Sequence, residues 1–166
     1  MSKKFLGIML FGLAVSSQAL AVKVGDVLPK AMVHDEAGKE LQPWTGKKTL
    51  INFWATWCDA CKVELKEMAA ELKALPSDKQ VVFVSLDKDP QKAKDYFAKE
   101  FKADSSMSKS LYYDSAFAMA DQLGVESFPM TLVVDEAGKV LKIQDGYKPG
   151  TGSTEALFEA LKSASK

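Results

Sequence analysis

Arginine is absent from this 166-residue chain: the 22 basic side chains are all lysines, and 22 acidic ones balance them to a formal net charge of zero. Without guanidinium groups there are no planar forks for bidentate recognition of phosphate or carboxylate. Without net positive charge, the basic face that a nucleic-acid partner needs is not expected. One His and two Cys cannot close a four-ligand nitrogen and sulfur zinc site without oxygen ligands. The chain also lacks internal repeats, low-complexity runs and a Gly/Pro-rich linker. Its length suits one domain, and an apolar content of 47% is enough for a real core.

The N-terminus differs from the rest. Lys3 and Lys4 precede an uncharged apolar run, Phe5 to Val15, and Ala19-Leu20-Ala21 has the small-x-small form that a secretory peptidase cuts. Residues 1–21 therefore read as a signal peptide and 22–166 as the mature domain, placed in the periplasm. The alternative is an uncleaved anchor with the apolar run read on to Val22. No Cys lies near the cleavage site, which excludes a lipoprotein anchor.

Export gives the two cysteines a setting in which disulfides persist. Only Asp59 and Ala60 separate Cys58 from Cys61. A bridge between them closes almost no loop of the unfolded chain, so it gains little as a staple. Such spacing suits reversible exchange, one thiolate attacking a partner and the other resolving the mixed disulfide.

Apolar periodicity places the pair in a fold. Ala31 to His34 and Lys39 to Leu41 flank a turn-like Asp35 to Gly38, which predicts a hairpin. Thr49 to Trp54 reads as a buried strand. From Cys58 to Leu75 the period is helical, with Cys58, Cys61, Leu65, Met68, Ala69, Leu72 and Leu75 on one face and Pro76 as the stop. Gln80 to Leu86 is the next buried strand. Asp89-Pro90 opens a helix to about Phe101. Ser115 to Leu123 is a shorter helix capped by Gly124. Met130 to Val134 and Val140 to Gln144 form a strand pair, and Thr154 to Ala164 a closing amphipathic helix. Trp44, Trp54 and Phe53 are expected in the core and Lys47-Lys48 in a solvated turn. His34 is an ordinary polar residue. The order β, α, β, α, α, β, β, α predicts an α/β fold, a central mixed sheet with helices on its faces. The Cys pair then lies where a buried strand hands over to a helix, an edge at which sites form in open sheets.

Cys58 opens that helix, where free N–H groups and the macrodipole favour an anion, so it reads as the nucleophile and the deeper Cys61 as the resolving thiol. The carboxylate of Asp59 opposes a second negative charge beside it, which makes the couple more reducing. Glu64, about 60° around the helix from Cys61, is either a proton-exchanging partner of that thiol or a surface carboxylate.

The run Asn52-Phe53-Trp54-Ala55-Thr56-Trp57-Cys58-Asp59-Ala60-Cys61 resembles the thioredoxin-like thiol–disulfide oxidoreductases of bacterial envelopes, the TlpA, ResA and CcmG class linked to cytochrome c maturation. Gly124-Val125 to Phe128-Pro129-Met130-Thr131 is similar to that class's cis-proline loop. The resemblance covers nearly the whole mature chain. It implies a thioredoxin fold with an N-terminal extended hairpin and an inserted strand–helix segment. It implies a catalytic Cys58-Cys61 disulfide, a Glu64 that influences thiol acidity, and a cis-Pro129 whose preceding backbone pairs with an extended substrate. Trp57, Phe128 and Pro129 are the implied substrate-binding residues. The implied partners are protein disulfides, apocytochrome c among them, and a membrane electron donor of the DsbD or CcdA type. The protein is expected to act as a monomer without metal or cofactor. Thioredoxins proper carry Asp where this chain has Asn52, whereas the envelope class often has Asn. Asp59-Ala60 lacks the proline common at its second position, and Phe128 is larger than the residue usual before the cis-proline.

Two rivals use the same cysteines. A peroxiredoxin-like peroxidase needs an Arg that this chain does not have. A copper carrier would hold Cu(I) through the two soft thiolates, but copper proteins of similar fold space their Cys three residues apart and use a downstream His. Here His34 lies upstream.

Overall fold

In a computed structural model of the chain, described for residues 21–101 and 105–163, seven strands form one mixed sheet. The elements in chain order are β1 (Val33–His34), β2 (Glu40–Leu41), β3 (Lys48–Trp54), α1 (Asp59–Leu72), β4 (Lys79–Ser85) and α2 (Pro90–Glu100). There follow α3 (Ser105–Lys109), β5 (Leu111–Tyr113), α4 (Ala118–Leu123), β6 (Met130–Val134), β7 (Val140–Asp145) and α5 (Ser153–Lys162). The sheet order is β2-β1-β5-β4-β3-β6-β7. β3 runs parallel to β4, and β4 to β5, while β6 and β7 continue antiparallel on the other side. Residues 1–20, which hold nearly all of the expected signal peptide 1–21, lie outside the described residues.

β3 is central, and all seven of its residues are buried. A strand covered on both faces needs apolar side chains on both, and the alternation sorts them. Ile51 and Phe53 join Val82, Val84, Leu132 and Val134 against α4. Leu50 and Trp54 join Phe83 and Val133 under α1, α2 and α5. Asn52 lies on that second face, and it is polar and fully buried.

The predicted hairpin is β1 and β2, around the turn at Asp35 to Gly38. Asp89 caps α2 by accepting from the Gln91 N–H at 3.0 Å, with Pro90 as the first helical residue. Gly124 closes α4 in the left-handed conformation. Trp44, Trp54 and Phe53 are all in the core.

Several boundaries differ. α1 stops at Leu72, not Leu75: the residue before Pro76 is disfavoured in the helical region, and Ala74 and Leu75 close with tighter three-residue bonds. α4 starts at Ala118, because Phe117 takes a left-handed φ of 59°. α5 begins at Ser153 and ends at Lys162; Ala164 lies outside the described residues. The inserted segment contributes β5, three residues long and too short to show a period, which fills the place between β1 and β4.

Lys48 corrects the expectation of a solvated turn. Lys47 is exposed, but Lys48 is the first residue of β3 and only 1% exposed. Its ammonium donates to the Ser163 carbonyl at 3.0 Å and to Ser163 Oγ at 3.1 Å, at the C-terminal end of α5. A cation there satisfies helix-end carbonyls and complements the dipole. Burial lowers the Lys48 pKa, with neighbouring Lys79 adding to the effect. Replacing Lys48 by Ala removes charge-assisted bonds and a packed stem together, and we expect it to cost about 2–4 kcal/mol. Lys48→Met keeps the stem and should cost less, with both read from urea unfolding midpoints.

Candidate active site

The disulfide between Cys58 and Cys61 sits at the N-terminus of α1. Cys58 is the N-cap residue, in extended conformation, and its sulfur accepts from the Cys61 N–H at 3.2 Å. One of the donors that a helix start leaves unpaired is thereby aimed at the outer sulfur. Cys58 retains 9% exposure and Cys61 none.

The approach to Cys58 is tied from below. Asp87, 2% exposed, accepts from the Thr56 N–H at 3.0 Å, from Thr56 Oγ1 at 2.6 Å and from Ser85 Oγ at 3.0 Å. Burying a carboxylate demands such partners, and here they fix Thr56, the residue leading into Trp57. Trp57 is 60% exposed, and its ring meets the edge of Phe128 at a centroid distance of 5.6 Å. It therefore stands beside Cys58 as an open aromatic surface. The Phe128-Pro129 peptide is cis, and the Pro129 carbonyl accepts from the Gly146 N–H at 2.8 Å.

Glu64 is a buried group with no exposed surface. The surface-carboxylate alternative is thus excluded: position 64 shares the inward side of α1 with Cys61, Leu65 and Met68. Its two hydrogen-bond partners come from β3 and β7, with Thr131 of the intervening β6 at the same level. Asn52 of β3 pairs in register with Thr131 of β6, and Thr131 with Gln144 of β7. Their side chains converge beneath α1. Asn52 Nδ2 lies 2.8 Å from Glu64 Oε2 and 2.8 Å from Thr131 Oγ1, and Gln144 Nε2 donates to Glu64 Oε1 at 2.6 Å. Burial pushes the Glu64 pKa up to about 7; the bonds from Asn52 and Gln144 pull it down, and nearby Glu67 adds a smaller upward push.

One turn further along α1, Glu67 accepts from the Tyr147 hydroxyl and from Thr154 Oγ1, the latter at 2.7 Å. Burial and the bond to Glu67 raise the Tyr147 pKa, so the phenol stays protonated. Asp59 is 94% exposed and pairs with Lys62 at 2.9 Å. The adjacent cation and open solvent reduce its influence on Cys58 below what the dipeptide alone suggests.

Cys58, Cys61, Glu64, Trp57, Phe128 and Pro129 are placed around one end of the sheet. His34 is elsewhere, half-exposed, with Nε2 3.6 Å from a Glu40 carboxylate oxygen. Among the described residues no group of three His, Cys, Asp or Glu is arranged to hold a metal ion, and no helix is long and apolar enough to cross a membrane. Sequence reasoning missed Thr131, Gln144 and Asp87. The available signal was a polar residue interrupting an apolar strand, at Thr131 within Met130 to Val134 and at Gln144 near the end of β7.

A helix-capping disulfide against a cis-proline loop, with its inner sulfur sealed between helix and sheet, is the working arrangement of a thiol–disulfide oxidoreductase. Known proteins agree. Residues 23–161 match the family model described as Redoxin, and the chain belongs to that family. It is 30% identical over 143 residues to the thiol-disulfide oxidoreductase ResA of Bacillus thuringiensis subsp. konkukian, covering 85% of this chain and 78% of that one. With ResA of Bacillus subtilis the identity is 29%, over 80% and 73% of the two chains. A candidate thiol:disulfide interchange protein DsbE from Chlorobium tepidum superposes with a TM-score of 0.67 at 27% identity, over 84% of this chain and 96% of that one. StoA from Bacillus subtilis shares the fold with a TM-score of 0.62.

The raised Glu64 pKa has a consequence for stability. Between pH 4.5 and about 7 the folded protein holds a proton on Glu64 that the unfolded chain has released. This contribution is therefore complete below pH 4.5 and is lost as pH rises to about 7. The change amounts to about 3 kcal/mol. Glu64→Gln should flatten that part of the curve, measured as urea unfolding free energy of wild type and variant from pH 4.5 to 7.5.

Proposed function

We propose that this protein is an exported, envelope-located thiol–disulfide oxidoreductase that reduces protein disulfides, with Cys58 as nucleophile, Cys61 as resolving thiol and Glu64 as proton carrier. The observation that carries the reading is the unequal burial of the two sulfurs, with the outer one at the helix cap and the inner one beside a buried carboxyl group.

In the reduced protein the Cys58 thiolate, favoured by the helix N-terminus, attacks one sulfur of a substrate disulfide. A mixed disulfide forms and the first substrate thiolate leaves, taking a proton from water. Glu64 then accepts the Cys61 proton. The Cys61 thiolate attacks Cys58 Sγ, closes the intramolecular disulfide and expels the second substrate thiolate. Two electrons pass to the substrate, and the Cys58-Cys61 couple is left oxidised. Trp57 and Phe128 flank the site of attack, and the backbone before Pro129 offers pairing to an extended substrate segment.

The relatives named ResA support this activity class, and residues 1–21 support export. Apocytochrome c as a substrate and a membrane donor of the DsbD or CcdA type as the source of electrons follow from the resemblance to the TlpA, ResA and CcmG class.

Cys61→Ser should accumulate mixed disulfides through Cys58 in envelope extracts, resolved by mass spectrometry after thiol blocking. Loss of the adducts in Cys58→Ser/Cys61→Ser is the matching control, and absence of any adduct in Cys61→Ser would overturn the exchange mechanism. In single-turnover experiments the resolving step should speed up as pH rises through about 7, because only ionised Glu64 can accept the Cys61 proton.

A further inference from the structure

A carboxyl group with no exposed surface can take a proton from Cys61 only if it can later release that proton to water. Glu64 has two side-chain hydrogen-bond partners, and they lie in opposite directions relative to solvent. Asn52 is fully buried, and the Thr131 beyond it is fully buried as well. Gln144 is half-buried on β7, the last strand of the sheet on that side. It forms one wall of a recess of about 430 Å³, lined also by Asp145, Tyr147, Lys148, Thr151 and Ser153. Ser153 Oγ is buried there without a protein partner, so the recess offers a polar group to water.

From this placement we infer that Gln144 is the proton gate of Glu64: its amide seals the carboxyl group from the recess and must swing aside for the proton to leave. The inference rests on the proposed role of Glu64 for its purpose, whereas its direct readout, proton exchange of the carboxyl group, does not. The step balances simply. The Cys61 thiol loses its proton to the Glu64 carboxylate, and the Glu64 carboxyl group passes it to water in the recess. An amide neither gains nor loses a proton here, so Gln144 acts by position.

The charged and titratable groups around Glu64 leave this route open. On its own helix they are Cys61 and Glu67, the latter occupied by Tyr147 and Thr154. β3 and β6 present only the neutral Asn52 and Thr131. β7 and the segment after it present Lys142, Asp145, Tyr147 and Lys148. The Lys142 ammonium is engaged with the Ala156 carbonyl at 3.0 Å, and the Asp145 carboxylate with Ser127 Oγ. α5 presents Glu155, whose charge reaches Tyr147. Asp145, Tyr147 and Lys148 also line the recess, but Gln144 is the lining residue whose side chain is hydrogen-bonded to Glu64.

Two substitutions separate gating from mere support. Gln144→Ala opens Glu64 to water; Gln144→Leu keeps the seal and removes the donor. The direct readout is hydrogen–deuterium exchange of the protonated Glu64 carboxyl group, followed at pH 5 by its infrared carbonyl band and assigned by its loss in Glu64→Gln. We expect exchange at least tenfold faster in the Ala variant and at least tenfold slower in the Leu variant. The second readout is the pH profile of the resolving step, whose midpoint should fall by about one pH unit in the Ala variant and rise by about one in the Leu variant. A residue that only supported the fold would move both variants the same way. Equal exchange rates in the three proteins, or midpoints displaced in one direction, would overturn the gate. If exchange responds as expected while Glu64→Gln leaves the pH profile unchanged, the gate stands and the catalytic role of Glu64 falls.

Discussion

The hydrogen bonding of one buried carboxyl group constrains much of this structure. Glu64 can lie under α1 without exposed surface only because Asn52 and Gln144 supply amide donors from two different strands, with Thr131 completing the row between them. That row exists only if β3, β6 and β7 pair in the observed order and register. A slip of one residue at either pairing would turn the polar side chain to the opposite face and replace it with a neighbour such as Leu132 or Ile143. The carboxyl group would then be buried beside aliphatic side chains. α1 is constrained in the same way, since the rotation that brings Glu64 over the row also carries Cys61 into the core.

The other half of the site obeys a different rule. Cys58 must be reachable, so the elements around it are exposed on one side and anchored on the other. Asp87 holds Thr56 through backbone and hydroxyl together. Trp57 is then free to present its ring without the loop beneath it moving. Phe128 braces that ring and also packs against both core clusters. The large residue before the cis-proline thus belongs partly to the core and partly to the rim, which explains how the chain accommodates an aromatic ring where a smaller side chain is usual. The exposed aromatic surface and the sealed inner sulfur lie on opposite sides of one disulfide.

Much of this was legible in the sequence, and what was not has a physical reason. Local signals read well: the helix start at Asp89-Pro90, the hairpin turn and the buried strand before the cysteines each depend on a few adjacent residues, while the cis-proline followed from the resemblance. Long-range pairings did not. Lys48 looked like a turn residue because its partner, Ser163, is 115 positions away. Thr131 and Gln144 lie 79 and 80 residues from Asn52 and Glu64, respectively. Each is an ordinary polar residue of a strand until the register joins them. Glu64 shows the same limit from the other side. Its helical phase put it near Cys61, but phase alone could not distinguish a packed face from an exposed flank, because the deciding groups belong to other strands.

The opposing effects at Glu64 also account for where it titrates. Desolvation alone drives a buried carboxyl group toward neutrality, because the charged form loses its hydration and the neutral form loses far less. Hydrogen bonds to the ionised form work against it, and about 1.4 kcal/mol of net preference for one protonation state changes the equilibrium tenfold. With no donors the group would stay protonated well above neutral pH and could not accept a proton from a thiol. With full solvent access it would stay ionised and could not hold one. Two amide donors, neutral and fixed by the sheet, leave the group near pH 7, where both states are within reach. A lysine or arginine in place of either amide would pair with the carboxylate and lock it ionised. At this position the absence of arginine and the use of neutral donors serve the same end, a carboxyl group that can exchange its proton.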